Sequence, residues 1–243
     1  MEQNNETPIQ PGNEKKKIPV SVPAAIITAG VLIAIALILG RDSDTAPTMR
    51  KNAPGNEAVE QPLAPVTLRS DDALRGDPKA SIVVVEYSDS DCPFCQRFHE
   101  TMKEVVTTSK GTVAWVYRHF PLSIHPNARN EAIALACVKN IGGNEAFWNF
   151  LDTVIDVTLT PEKSTAMFTT IAKEQKIDSA LFATCLVNPS IAKMIDEQSA
   201  EAQALGARGT PFSVVLNTKT GAQKVIPGAL PIEEVQKIIA SLQ

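Results

Sequence analysis

Residues 82–99 read IVVVEYSDSDCPFCQRFH, an apolar run followed closely by two cysteines two residues apart. Ile82 to Tyr87 is short and β-branched, which predicts a buried strand. Pro93 suits the first position of a helix, where its missing N–H costs nothing. Phe98, Met102 and Val105 then recur at helical spacing and give that helix an apolar face. Cys92 and Cys95 therefore close a strand and open a helix. Unpaired backbone N–H groups at a helix start stabilise a nearby anion, so the thiol there falls below its ordinary value of about 8.5. Cys92 is expected at that start with an exposed sulfur, and Cys95, one turn in, faces the core.

Such a pair can hold a metal, form a structural bridge or cycle between thiol and disulfide. Zinc needs four ligands, and neither a second CxxC nor an HxxxH accompanies this pair. His99, four residues after Cys95, leaves the set incomplete, so no metal site is expected. A haem-attachment motif would need a histidine directly after the second cysteine. A structural bridge across so small a loop would add little constraint. Redox cycling is the reading that the position favours, and it calls for no cofactor. A tethered Cu(I)-binding module is a competing reading, because thiolates suit that soft ion, yet no methionine- or histidine-rich tract lies nearby.

Beyond the pair, Thr112 to Phe120 alternates as a second strand, and strand–helix–strand makes a parallel βαβ unit. From Asn127 to Leu205 the pattern is helical only. ARNEAIALACVKNI carries an apolar stripe and stops at Gly142–Gly143, EAFWNFLDTVIDV follows, and Thr160–Pro161 opens a third helix. Asp178 caps a short helix through Cys185, and Ser190 to Leu205 forms the last one. Phe212–Leu216 and Gln223–Ile226 flank the turn NTKTG as an antiparallel hairpin, and Pro231 to Leu242 ends the chain as a helix.

The N-terminus bears on compartment. Residues 1–17 are polar and end in Lys15, Lys16 and Lys17; residues 18–40 carry no charge and are long enough for the about 20 residues that cross a bilayer. An uncleaved membrane anchor is expected, with the lysines cytoplasmic and the remainder extracytoplasmic; a cleaved signal peptide is the competing reading. Residues 41–65 are rich in proline and polar residues and read as a linker. The folded domain is expected over 66–243, with the helical insertion over about 126–206. The net charge of −4 leaves no basic field, so nucleic acid is not an implied partner.

GDPKASIVVVEYSDSDCPFCQRFH resembles the active-site segment of DsbA-like thiol–disulfide oxidoreductases; GTPFSVVLN resembles that family's cis-proline strand, and GALPIEEVQKII its last helix. The resemblance implies an α/β thioredoxin fold with an inserted all-helical subdomain. It implies that Cys92 is the nucleophile and Cys95 the resolving cysteine, with Pro93 and Phe94 as the dipeptide that tunes the potential. It also implies that Pro211 is the cis-proline and that Thr210 offers its backbone to a substrate strand. Glu86 matches an acidic residue near the buried cysteine; once buried, its raised pKa would suit it to move the proton of Cys95. The implied activity is introduction of disulfides into cysteine-containing secreted proteins, in a bacterial periplasm or its equivalent, with a membrane quinone-linked protein as reoxidant. An isomerase or reductase on the same fold is the nearest alternative. Isomerases of the group commonly dimerise; here there is only a flexible tether, so a monomer is expected.

Cys137 and Cys185 lie among apolar or small neighbours in two helices of the insertion. An oxidising compartment and an even cysteine count favour a bridge between them over two buried thiols. His99, His119 and His125 read as surface or packing residues, and Trp115 and Trp148 as core. The acids Glu86, Asp89 and Asp91 beside Cys92 would push its thiol up and weaken an oxidant.

Overall fold

The structure, a computed structural model, describes residues 64–156 and 165–243. The anchor expected over 18–40, the tail before it, all but the end of the linker and the helix start at Thr160–Pro161 lie outside the described residues. Among the described residues no helix is long and apolar enough to cross a membrane.

Five strands form one sheet. They are β1 (Ala73–Arg75), β2 (Ile82–Ser88), β3 (Val113–His119), β4 (Phe212–Asn217) and β5 (Gln223–Pro227), in the order β1-β3-β2-β4-β5. β2 is central. It runs parallel to β3, through the crossover helix α1 (Pro93–Thr108), and antiparallel to β4. All seven of its residues are buried, as a strand covered on both faces requires. Alternation splits them between two cores: Ile82 and Val84 join Phe98, Met102 and Val105 of α1, whereas Val83, Val85 and Tyr87 face the opposite side. Glu86 and Ser88 share the parity of Ile82 and Val84, so the strand delivers a carboxyl to the α1 side of the sheet.

Four helices separate β3 from β4: α2 (Ala128–Asp156), α3 (Thr165–Glu174), α4 (Ser179–Leu186) and α5 (Pro189–Ala204). α2 is broken at Gly143, whose φ of 79° falls where only glycine sits without strain. Asp178 caps α4 by accepting from the N–H groups of Ala180 and Leu181. Helix α6 (Ile232–Ala240) closes the chain and packs Val235 and Ile239 into the α1-side core.

β1, which pairs antiparallel with β3, is absent from the sequence reading. Three residues, ALR, are too few to show a period. Also unforeseen is Arg118, a fully buried cation within β3. Its guanidinium donates to both carboxylate oxygens of Asp72 at 2.9 Å, to Glu201 at 3.1 Å, to the Thr67 carbonyl at 2.7 Å and to the Tyr87 hydroxyl at 3.1 Å. Two carboxylates and two further acceptors offset the cost of burying its charge, and the cluster ties the N-terminal segment and α5 to the sheet.

Candidate active site

The site forms where β2 gives way to α1. Cys92 is the residue before the helix, in extended conformation (φ −85°, ψ 122°), and its side chain caps nothing. Its N–H donates to the Asp89 carbonyl at 3.0 Å and its carbonyl accepts from Gln96 N–H at 3.1 Å, so the backbone is fixed on both sides of the sulfur. Cys95 lies one turn on, and its Sγ accepts from the Asp89 N–H at 3.5 Å. Both cysteines are free thiols.

Register brings a second segment to them. Tyr87 pairs with Phe212, so the residues just before β4 reach the C-terminal end of β2. The Thr210–Pro211 peptide there is cis, and the Cys92 thiol donates to the Thr210 carbonyl at 3.5 Å. Against that carbonyl Cys92 is only 3% exposed and Cys95 1%, which corrects the expectation of an exposed Cys92 sulfur. Phe94, between them, is 55% exposed, with the Arg97 guanidinium 4.8 Å from its ring.

The two thiols are electrostatically unlike. Cys92 is held down to about 5, first by its hydrogen bond with the Cys95 thiol and then by the Thr210 side chain and the backbone N–H groups of Cys95 and Phe94, which together outweigh burial. Cys95 is pushed well above its ordinary value by burial, by the proton it shares with Cys92 and by the Glu86 carboxyl. Glu86, 1% exposed, is raised to about 7, chiefly by burial, with the Ser88 hydroxyl and Trp115 indole pulling it partly back.

The acids therefore do not leave Cys92 raised, contrary to the sequence reading, because the contacts that lower it outweigh them. The Asp89 carboxylate is engaged in its own contacts: Oδ1 accepts from Asp91 N–H at 3.0 Å, and Oδ2 accepts from Leu122 N–H at 2.9 Å and lies 2.7 Å from His125 Nδ1. Asp91 Oδ2 accepts from Asn127 N–H at 3.0 Å. His125 is thus neither a bare surface residue nor simple packing. Its partner is 36 positions away in another loop, and no local pattern reports such a contact. Ser90 donating to the buried Glu131 of α2 escaped the sequence for the same reason.

The remaining assignments fall elsewhere. His99 is buried against Trp115 and lies 2.7 Å from Asp152, which it and Arg75 hold down to about 2 against burial. His119 is buried and pushed down to about 3 by that burial. Trp115 and Trp148 sit in the core with ring centroids 4.6 Å apart. Cys137 and Cys185 are joined by a disulfide that links α2 to α4. Among the described residues no group of three or more His, Cys, Asp or Glu is placed to hold a metal ion.

Comparison with known proteins agrees with this geometry. The family model described as Thioredoxin matches residues 69–240. The chain belongs to the thioredoxin family. Within it the likeness is to DsbA-like thiol–disulfide oxidoreductases. Pseudomonas aeruginosa DsbA2 superposes with a TM-score of 0.60 at 25% identity, over 73% of this chain and 97% of that one. Wolbachia pipientis alpha-DsbA1 superposes at 0.62 over 73% and 93%, and at 23% identity it shows the shared thioredoxin fold. Among curated relatives, the Na(+)/H(+) antiporter NhaA 1 of Mycobacterium sp. (strain KMS) is 45% identical over 64 residues, 26% of this chain. This thioredoxin-family chain spans about a tenth (10%) of that relative's length.

Proposed function

We propose that the protein is a membrane-tethered, extracytoplasmic thiol–disulfide oxidoreductase that introduces disulfides into secreted proteins. The observation that carries the reading is the asymmetry of the pair: Cys92 held down to about 5 at the start of α1, and Cys95 pushed up one turn below it. A thiolate that is stable in the reduced protein favours reduction of the pair, so the pair oxidises others.

In the oxidised enzyme a substrate thiolate attacks Cys92 Sγ, the Cys92–Cys95 bond breaks, and Cys95 leaves. Glu86, poised near neutrality on the same side of the sheet, supplies the proton that Cys95 takes up. A second substrate thiolate then attacks the substrate sulfur of the mixed disulfide and expels Cys92 as its stable thiolate. Two substrate thiols have been oxidised, and the pair has gained two electrons. A quinone-linked membrane protein removes them and restores the Cys92–Cys95 bond. The Thr210 carbonyl, which accepts the Cys92 thiol at 3.5 Å, is released once that proton is lost and offers itself to an extended substrate beside Pro211.

The anchor rests on the uncharged residues 18–40 preceded by three lysines. The test is oxidation of a reduced, unfolded cysteine-containing protein by the full chain, with the reduction potential of the 92–95 pair measured alongside. A potential near about −120 mV supports an oxidase, and one near about −270 mV would make it a reductase.

A further inference from the structure

The segment between β2 and α1 and the segment between β3 and α2 are laced together beside the cysteines. Phe120 N–H donates to the Ser88 carbonyl at 2.7 Å. Leu122 N–H and His125 Nδ1 meet Asp89 Oδ2, Asn127 N–H meets Asp91 Oδ2, and Ser90 meets Glu131. Asp89 is the centre of this lacing. Its backbone carbonyl holds Cys92 N–H and its own N–H reaches Cys95 Sγ, so one residue touches both halves of the redox pair. Its carboxylate is wholly buried, while His125 keeps 18% of its side chain in solvent.

The charge around the pair is one-sided. Pro93 and Phe94 carry no ionisable group, and the first turn of α1 holds no acid. Glu86, Asp89 and Asp91 all bring negative charge toward the thiols. The ionisable groups around His125 are Asp89 and Asp91 of the β2–α1 segment and the Cys92 thiol; Glu86 of β2 acts on the same two sulfurs. Arg97 is exposed and lies over the Phe94 ring.

We infer that His125, fixed by the buried Asp89 carboxylate, is a positioning residue for disulfide exchange: its imidazolium balances the acids beside Cys92 and so stabilises the Cys92 thiolate. Burial opposes the charged imidazole, but Asp89, then Cys92 and Asp91, hold His125 above its ordinary value. Charge coupling is reciprocal: whatever the thiolate does to favour the imidazolium, the imidazolium does to favour the thiolate. Protonated His125 therefore belongs to the reduced, Cys92-thiolate state, and its loss tilts the pair toward the disulfide.

This inference rests on the exchange reading above, but its test does not depend on substrate or direction. In the reduced full chain, thiolate absorbance near 240 nm is followed against pH, and the equilibrium with glutathione is measured at pH 6 and above pH 9. His125→Asn keeps a donor for Asp89 and removes the charge. Its Cys92 titration is expected to move up by about half a unit, the size of one screened charge, and at pH 6 the equilibrium constant for its oxidation rises about threefold. At high pH, once His125 has lost its proton, the two proteins converge. His125→Lys carries its charge to higher pH: it keeps the low Cys92 titration, and its equilibrium constant for oxidation stays low above pH 9. A His125→Asn protein that titrates like wild type overturns the inference. So does a His125→Lys protein that behaves like His125→Asn, because shape rather than charge would then be the cause. A Cys92–Cys95 pair that never equilibrates with glutathione defeats the exchange reading instead, and the thiolate titration still reports on His125.

Discussion

The protein holds two cysteine pairs that differ in almost everything except the element. Cys92 and Cys95 are three positions apart at a helix start and are free thiols, one stabilised as an anion and one kept protonated. Cys137 and Cys185 are 48 positions apart, on α2 and α4, and are bonded to each other. Burial does not separate the pairs, since Cys92, Cys95 and Cys137 are all buried. The difference lies in what the backbone presents. At Cys92 a helix N-terminus, the Thr210 segment and a neighbouring thiol converge on one sulfur; at Cys137 the surroundings are side chains of the α1-side core. Reactivity is set by donors aimed at sulfur, and constraint by the length of chain a bond encloses.

That contrast breaks first at Cys92. In Cys92→Ser, oxidation of a reduced substrate protein is expected to vanish, because no other sulfur sits at the helix start. Unchanged activity in a stopped assay of thiol loss would remove the mechanism. The opposite arm is the double variant Cys137→Ala/Cys185→Ala. Releasing a loop of 48 residues is expected to cost about 3–4 kcal/mol of stability in urea unfolding. The potential of the 92–95 pair is expected to stay put, because the bridge lies in the helical insertion. A changed potential would mean that the two pairs are coupled through α2.

Much of the contrast was legible in the letters. IVVVEY declares a strand by composition and CP a helix start by proline chemistry, and together they place Cys92 without any tertiary information. Parity along β2 also determines which way Glu86 points once both faces of the strand are covered. What could not be read depends on contacts between distant segments. β1 is three residues long and owes its existence to β3. Arg118 looks like a solvent-facing charge in TVAWVYRHF until Asp72 and Glu201 are brought to it. The acids beside Cys92 look like a field that raises the thiol, because only the fold reveals that Leu122, His125 and Asn127 occupy them. Sequence spacing gives the number of charges near a sulfur but not where their lone pairs are spent.

Glu86 sharpens the comparison from inside the reactive pair. Glu86→Gln keeps the volume and removes the proton donor, and the rate of exchange at pH 7 is expected to fall about a hundredfold. The potential should shift slightly toward a stronger oxidant, since a negative charge beside Cys92 is lost. Stopped-flow measurement of Trp fluorescence on mixing with substrate separates the two effects. Equal rates in both proteins would leave Glu86 a buried acid without a part in the exchange.

The last comparison is of stability as a function of pH. The Cys92 thiol falls from 9.0 when unfolded to about 5 in the reduced fold. A depressed group stabilises the fold fully above its unfolded value, and that contribution is lost as pH falls toward the folded one. Glu86 has the opposite sign: raised from 4.5 to about 7, it favours the fold at low pH and loses that contribution as pH rises through its folded value. Glu86 is present in both redox forms, whereas Cys92 titrates only in the reduced one. The part of the Glu86 contribution that comes from burial cancels between the two forms, so the difference in stability between reduced and oxidised protein is dominated by Cys92 and is expected to grow in favour of the reduced form from pH 5 to 8. The slope is at most about 1.4 kcal/mol per pH unit and shallower where solvent screens the sulfur. Above that window Cys95, raised in the fold, acts against it. Thermal unfolding of both forms at pH 5, 6.5 and 8 measures the trend, and a gap independent of pH would mean that Cys92 is an ordinary thiol and the two cysteine pairs differ only in constraint.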